Sequence, residues 1–186
     1  GLVGTVYCSK EVRHYIASIA AMTRNHPSLQ LGVSTRGAIA LIRGAQACAL
    51  LNDRDYVLPE DVQRMLADND GVQMITAVPG FVSAAVHEWV AAGEQGPRPA
   101  VSVKDVADHV EAARDVMGVD HVGVGGDYDG TGAMPTGMED VGKYQNLFEE
   151  LRSRGWSEDD LNKLGWRNAL RVLEANDGAY KAFMAA

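Results

Sequence analysis

The residues best suited to chemistry follow an apolar, glycine-containing run, 121–126, which reads HVGVGG. The run is typical of a buried strand, and Asp127, Tyr128, Asp129 and Gly130 come directly after it. α/β enzymes keep their catalytic groups at the carboxyl ends of their strands. A carboxylate at this position can bind a metal ion or transfer a proton, so Asp127 is the candidate catalytic residue. The alternative is that Asp127 only caps a neighbouring turn. Asp129 with Gly130 predicts an Asx turn.

Two strands and several helices are predicted around this residue. The apolar segment 72–78 predicts a first strand and the segment 121–126 predicts a second. A helix predicted from Ser102 to Met117 separates them, and a helix between two strands is typical of a parallel sheet. Two strands alone cannot make a complete barrel. Further helices are predicted at 81–92, 146–154, 158–164 and 167–175.

The first part of the chain is predicted to be entirely helical. The spacing of its apolar residues, with capping residues such as Ser9 and Ser34, predicts helices at about 10–25, 36–52 and 60–68. Strand patterns begin only after Gly71. We therefore expect two domains, residues 1–62 and residues 63–186.

Composition limits the classes of partner. Residues 71–186 contain eighteen acidic and ten basic residues and hold the whole net charge of −8. This charge disfavours binding of nucleic acid. No apolar run approaches the roughly 18 residues needed to span a membrane, so no membrane partner is expected. Cys8 and Cys48 are predicted to be free thiols in a reducing, cytoplasmic location, with a disulfide as the alternative.

Four motifs in the helical part occur together: YI at 15–16, TRNHP at 23–27, LGVSTR at 31–36 and DRDYVLPEDV at 53–62. Residues 7–62, which contain them, resemble the C-terminal lid of MoxR-type AAA+ ATPases. The resemblance implies ATP with Mg²⁺ as cofactor, and Arg36 as the residue that binds the γ-phosphate, since a guanidinium group forks onto phosphate oxygens. Thr35 stands where that family usually has proline. The alternative is that Arg36 only begins a helix and faces solvent.

The sequence shows no sign of the part of an AAA+ ATPase that binds and hydrolyses ATP. No GxxxxGK[ST] phosphate-binding loop occurs anywhere in the chain. The lid-like segment is therefore not expected to bind ATP tightly or to hydrolyse it, and its partner would be a missing ATPase core.

A second series of motifs runs from about Leu58 to Leu173 and resembles a different family. Its members are PEDV at 59–62, GVQM at 71–74, PGFVS at 79–83, DVADH at 105–109, GVDHVGVGGDYDG at 118–130, GMEDV at 137–141 and NALRVL at 168–173. In order and spacing they resemble the C-terminal section of membrane (renal-type) dipeptidases. That family consists of zinc peptidases with a TIM-like barrel.

The dipeptidase resemblance implies a proton-transfer role for Asp127 and a zinc site that this chain lacks. The family's metal ligands lie upstream of the matching segment, and the chain has no His-x-Asp pair. None of its histidines falls at a ligand position, so no metal ligand is assigned. Tyr56 occupies the position of the family arginine that binds the substrate carboxylate, and Arg54 is out of register. We expect His109 and His121 to form structural hydrogen bonds and Asn168 to bond backbone at the start of the last helix.

The predicted fold class is α/β: a helical AAA+-lid-like segment followed by a partial TIM-like barrel section with two parallel strands and flanking helices. The predicted function is that of a dipeptidase-derived, chimera-like chain without turnover of its own. The alternative is a regulatory or assembly lid of a MoxR-type ATPase. Expected partners are a second copy, through open strand edges, a missing ATPase core, or a missing dipeptidase N-terminal section.

Overall fold

The chain folds into two compact units, residues 1–69 and residues 70–186, in a computed structural model that describes residues 2–25, 34–128 and 130–184. The predicted domain boundary follows Val62, whereas the two structural units divide after Asn69. The difference arises because the third helix stays whole within the first unit.

The first unit is helical, and its core is formed by small apolar residues. It contains a short 3₁₀ turn, Leu2–Thr5, and helices α1 (Lys10–Asn25), α2 (Thr35–Leu51) and α3 (Pro59–Asp68). The Ser34 hydroxyl accepts a hydrogen bond from the Gly37 amide and caps α2. The side chain of Met65 on α3 packs onto Gly44 of α2, where a Cβ would lie 2.2 Å from the Met65 methyl group. The buried core consists of Val6, Cys8, Val12, Ile16, Ala45, Ala49, Val57 and Val62.

A buried ion pair fixes the turn between α2 and α3. The carboxylate of Asp61 is fully buried and accepts hydrogen bonds from both terminal nitrogens of Arg54, at 2.9 and 2.5 Å. It also accepts the backbone amide of Leu58 at 2.8 Å, which caps α3. Burial acts to raise the pKa of Asp61, but the bonds from Arg54 and Leu58 outweigh burial and hold that pKa below its usual value.

The second unit contains two strands, six α-helices and several single turns within its described residues. None of the described helices in either unit is long and apolar enough to cross a membrane. The named elements are β1 (Gln73–Ile75), α4 (Pro79–Val82), α5 (Ala84–Ala91), α6 (Val103–Met117), β2 (Val122–Val124), α7 (Tyr144–Ser153), α8 (Glu158–Asn162) and α9 (Asn168–Met184).

The two strands pair in parallel, as predicted, with Gln73 opposite Val122 and Ile75 opposite Val124. Both strands are shorter than the predicted segments. The predicted helix 81–92 is two helices, because Ser83 leaves the helical conformation and caps α5 through the amide of Val86. The last two predicted helices are joined by a π-helical turn, Lys163–Arg167.

Helix α6 connects the two strands and is held at its start and at its middle. Ser102 and Asp105 form a capping box at its start, where the Ser102 amide donates to the Asp105 carboxylate at 2.7 Å. Midway along the helix, Arg154 donates to the carboxylates of Asp108 and Glu111, at 2.5 and 2.8 Å, and joins α6 to the end of α7. The buried face of α6 consists of Val106, Ala107, Val110, Ala113 and Met117.

Three side chains, which we call the carbonyl clamp, hold the amino ends of both strands: Asn168 and Arg171 of α9, and His121, which directly precedes β2. The buried amide of Asn168 donates to the carbonyls of Val119 and Val122, at 2.7 and 2.8 Å. Arg171 donates to the carbonyls of Asp70 and Asp120, at 2.7 and 2.9 Å. These bonds confirm that Asn168 binds backbone at the start of the last helix.

His121 completes the clamp from the other direction. Its Nδ1 lies 2.9 Å from the carbonyl oxygen of Gly71, which can only accept a hydrogen bond, so the ring donates. The predicted structural hydrogen bond of His121 is therefore confirmed. The segments that enter β1 and β2 are tied to each other and to α9 before either strand begins.

Loss of the Asp61 charge should destabilise the first unit. We expect Asp61→Asn to lower the free energy of unfolding by about 2 kcal/mol at pH 7, because Arg54 loses a charged acceptor. The measurement is urea unfolding followed by far-UV circular dichroism. Asp68→Asn, on the exposed side of the same helix, should change it by less than about 0.5 kcal/mol.

The same variant predicts a pH dependence. The folded-state pKa of Asp61 is lowered, so its contribution is complete above the unfolded pKa of about 3.9 and is lost as the pH falls through the lower folded value. The stability difference between wild type and Asp61→Asn should therefore shrink as the pH falls below about 4. A difference that stays constant to pH 2 would contradict this assignment.

Loss of the clamp amide should destabilise the second unit. We expect Asn168→Ala to cost about 2–3 kcal/mol, since two carbonyls at the start of β2 lose their donor. All three tryptophans lie beyond residue 70, so tryptophan fluorescence during urea unfolding follows this unit. Asn176→Ala is the matched control, because Asn176 is exposed and bonds only to Val172 of its own helix. Equal stabilities of the two variants would rule out the clamp.

Candidate functional site

Asp127 lies just past the carboxyl end of β2, as the sequence predicts, and its side chain is exposed. The Gly125 amide donates to the carbonyl of Ile75 at 2.8 Å, so backbone pairing continues one residue beyond the strand. The carbonyl clamp holds the opposite end of the same two strands. Asp127 is thus carried by a segment that is fixed at both ends.

Asp127 has a left-handed backbone conformation, with φ of 60°. This conformation costs an L-residue about 1 kcal/mol, although aspartate and asparagine tolerate it better than most. A turn follows, in which the Gly130 amide donates to the carbonyl of Asp127 at 3.0 Å. A Cβ at residue 130 would lie 2.2 Å from Oδ1 of Asp127, so the carboxylate occupies the space that this glycine leaves open. Asp129, with its predicted Asx turn, lies outside the described residues.

Two tyrosines pack against the residue before Asp127. The rings of Tyr128 and Tyr144 meet edge to face, with centroids 5.7 Å apart and planes at 80°. Burial raises the pKa of Tyr128, and the charges of Asp140 and Glu139 raise it further. Burial, followed by the neighbouring Tyr128, raises the pKa of Tyr144. The buried hydroxyl of Tyr128 has no hydrogen-bond partner among the described residues.

Sequence reasoning missed Tyr144 and the purpose of Gly130. Tyr144 begins α7, far along the chain from Asp127, and no local pattern connects the two. The sequence predicts Gly130 only as part of an Asx turn, whereas in the structure its lack of a side chain leaves the space that the Asp127 carboxylate occupies. Both features depend on contacts that only the folded chain creates.

The donor set of the described residues does not fit the zinc that the dipeptidase resemblance implies. No group of three or more His, Cys, Asp or Glu lies close enough to hold a metal ion in residues 2–25, 34–128 and 130–184. His121 lies at the amino end of β2 and bonds to Gly71, away from Asp127. Among the described residues that follow β2, Asp127 provides an exposed carboxylate, which can accept or donate a proton.

The other histidines do not join this site. Burial lowers the pKa of His109, which favours the neutral imidazole, and its predicted structural hydrogen bond is absent within the described part of the chain. His14 and His87 are exposed on α1 and α5. His26 lies outside the described residues.

The candidate nucleotide-binding residue, Arg36, lies in the first turn of α2 and is exposed. This position fits both of the roles considered for it, and residues 26–33 of the lid-like motifs lie outside the described residues. Arg54 is committed to Asp61, so it does not replace the substrate-binding arginine whose position Tyr56 occupies.

Two surface cavities of the second unit lie away from Asp127. One, of about 540 Å³, lies between α7 and α8 and includes Phe148 and Trp166. The other, of about 450 Å³, lies at the carbonyl clamp, where Lys163 pairs with Asp120 and Arg167 pairs with Asp159. Two of the basic residues that line the second cavity, Lys163 and Arg167, are therefore paired with carboxylates.

Proteins of known sequence similar to this chain are dipeptidases. Dipeptidase aclJ of Aspergillus oryzae is 40% identical over 116 residues, which is 62% of this chain and 25% of that protein. Dipeptidase 3 of Homo sapiens is 38% identical over 116 residues, which is 62% of this chain and 21% of that protein. The chain therefore spans about a quarter of the length of these relatives.

Two solved metallopeptidase structures have a similar fold. The crystal structure of the dipeptidase AC, of family M19, has a TM-score of 0.55 and 22% identity, over 89% of this chain and 48% of that one. A metallopeptidase from Rhodobacter sphaeroides, bound to a phosphinate mimic of the dipeptide L-Ala-D-Ala, has the same TM-score and identity, over 89% and 46%. The sequence profile of the membrane dipeptidases, peptidase family M19, matches residues 38–183. Because this match covers most of the chain, the chain belongs to the membrane dipeptidase family.

Proposed function

We propose that this chain is the C-terminal section of a dipeptidase-type barrel and supplies the proton-transfer residue of that enzyme, Asp127. On its own the chain has no turnover. It gains activity only when another section of a dipeptidase provides the metal ligands and the group that binds the substrate carboxylate.

The observation that carries the proposal is the geometry of Asp127. Its carboxylate is exposed at the carboxyl end of a parallel strand, on a turn where Gly130 leaves room for it. A general acid or base needs such a defined position, because it acts only within hydrogen-bonding distance of the proton it moves. The family match around this strand supports peptide hydrolysis as the reaction.

The surface of the second unit supports the proposal that further barrel elements belong beside it. Trp166, Leu170 and Leu173 follow helical spacing and are 51%, 40% and 66% exposed, which forms an apolar stripe from the π-helical turn into α9. Strand β2 pairs with β1 on one side, and no described strand lies on its other side. A missing N-terminal section or a second copy of the chain would cover these surfaces. If the chain self-associates, its apparent molecular mass in sedimentation equilibrium should rise with protein concentration.

We also propose that residues 1–62 derive from the lid of a MoxR-type ATPase. Its helical content and the exposed Arg36 support this origin, while the dipeptidase profile also includes residues 38–62. A pull-down experiment, in which the chain is immobilised and a MoxR-type ATPase core is added, would test this origin. Binding should be lost in Arg36→Ala and kept in Arg13→Ala, an exposed arginine of α1. We also propose a cytoplasmic location, which the free thiols of Cys8 and Cys48 support.

A chimaeric enzyme tests the role of Asp127. Residues 70–184 would replace the matching section of the Aspergillus oryzae dipeptidase, which keeps its own N-terminal section. We expect the chimaera to hydrolyse dipeptides and Asp127→Asn to lower kcat about 100-fold or more, since a positioned proton-transfer group contributes about that factor. Asparagine tolerates the left-handed conformation, so the backbone should not change.

The control is Asp115→Asn, which removes an exposed carboxylate of α6 in the same unit. It should leave kcat unchanged within about twofold. A folded, zinc-loaded chimaera that lacks activity would contradict the proposal. Full activity of the Asp127→Asn chimaera would contradict it as well.

A further inference from the structure

We propose that Tyr128 and Tyr144 are positioning residues that hold Asp127 in its left-handed conformation and so fix the place of its carboxylate. The proposal deepens the proposed function, because it matters for catalysis only if Asp127 transfers the proton. The geometry that carries it is independent of that role. It concerns the two residues that flank Asp127 and one residue of a distant helix.

The first step is the contact between both tyrosines and Gly126. A Cβ at residue 126 would lie 2.6 Å from Cδ2 of Tyr128 and 2.7 Å from the hydroxyl oxygen of Tyr144. Real Cβ atoms do not approach other atoms so closely, so the two side chains occupy the space that only a glycine leaves free. Gly126 is therefore covered by both tyrosines immediately before the backbone turns at Asp127.

The second step is the distance along the chain between the two tyrosines. Tyr128 belongs to the turn itself, while Tyr144 is the first residue of α7. Their edge-to-face contact fastens the turn to a helix whose other end is joined to α6 by Arg154. Edge-to-face aromatic pairs have a preferred geometry, so the contact restrains direction as well as distance. The turn at Asp127 is thus stabilised by a residue of α7, which is distant in the sequence.

The third step is the direction of the carboxylate. The Asp127 side chain lies over Gly130, whose amide donates to the carbonyl of Asp127 at 3.0 Å. A left-handed residue persists where its surroundings over-determine it. Here the aromatic pair restrains the chain before Asp127, and the hydrogen-bonded turn restrains it afterwards. A shift of residue 126 would rotate the carboxylate away from its place over Gly130.

The ring of Tyr128 carries this role, and its hydroxyl does not. The hydroxyl is buried without a partner in the described chain, so it contributes no hydrogen bond to the turn. Tyr128→Phe keeps the ring and removes only the unpartnered group. Phenylalanine should therefore replace Tyr128, whereas alanine should not.

The experiment measures the conformation of Asp127 directly, by NMR of the full chain. A residue with positive φ gives a strong intraresidue nuclear Overhauser effect between its amide and α protons. In Tyr128→Ala we expect this signal at Asp127 to weaken to the level of ordinary residues, and exchange of the Gly130 amide to become roughly tenfold faster. Tyr128→Phe should retain both wild-type values. Phe81→Ala, which removes a 67% exposed aromatic ring of the same unit, is the control.

A wild-type Asp127 signal in Tyr128→Ala would overturn the proposal, as would Tyr128→Phe behaving like Tyr128→Ala. If Tyr128→Ala does not fold, Gly126→Ala tests the same contact, because its methyl group must displace the two tyrosines. An unchanged Asp127 signal in folded Gly126→Ala would likewise overturn it.

These measurements need no turnover, so they separate this proposal from the proposed function. In the chimaeric enzyme, Tyr128→Ala should lower kcat and leave KM unchanged, with recovery in Tyr128→Phe. An NMR effect combined with full activity of Asp127→Asn would refute the catalytic role and leave the positioning role standing.

Discussion

The hydrogen bonds from α9 to backbone carbonyls at the amino ends of both strands are the constraint on which the second unit depends. A sheet of two three-residue strands is too small to be stable without a packed helix. Asn168 and Arg171 supply four donors to the segments that enter the strands, and His121 supplies a fifth. The bond to the Val122 carbonyl is buried, and a buried carbonyl left without a donor would oppose folding. The position of Asp127 follows from this anchorage, since β2 runs directly from the clamp to the turn.

Local sequence patterns predicted the features that local chemistry decides. The apolar run before Asp127 predicted β2, and the capping residues Ser34 and Ser102 mark helix starts in the structure. The backbone role of Asn168 was also predicted. In each case a residue type satisfies a need within a few positions of itself, such as an unpaired amide at the start of a helix.

Features that depend on distant contacts could not be predicted. Tyr144 and Gly126 lie on different elements, and nothing in the sequence around either residue predicts their contact. The break at Ser83 and the π-helical turn at Lys163–Arg167 also interrupt segments whose apolar spacing predicted something simpler. The sequence therefore predicts Asp127 and its position at the end of β2. It does not predict that Tyr128 and Tyr144 pack beside it.

The chain belongs to a metallopeptidase family, yet its described residues form no cluster of metal ligands. The chain has the strand-end acid of a dipeptidase fold, on a braced turn, while its described residues bring together no set of metal ligands. Titration of the full chain with Zn²⁺ by isothermal calorimetry tests this most directly. We expect no saturable binding with a Kd below about 1 μM, because the described residues bring no three His, Cys, Asp or Glu side chains together for a metal that takes four ligands. Stoichiometric binding in the nanomolar range, lost in Asp127→Asn, would contradict the account.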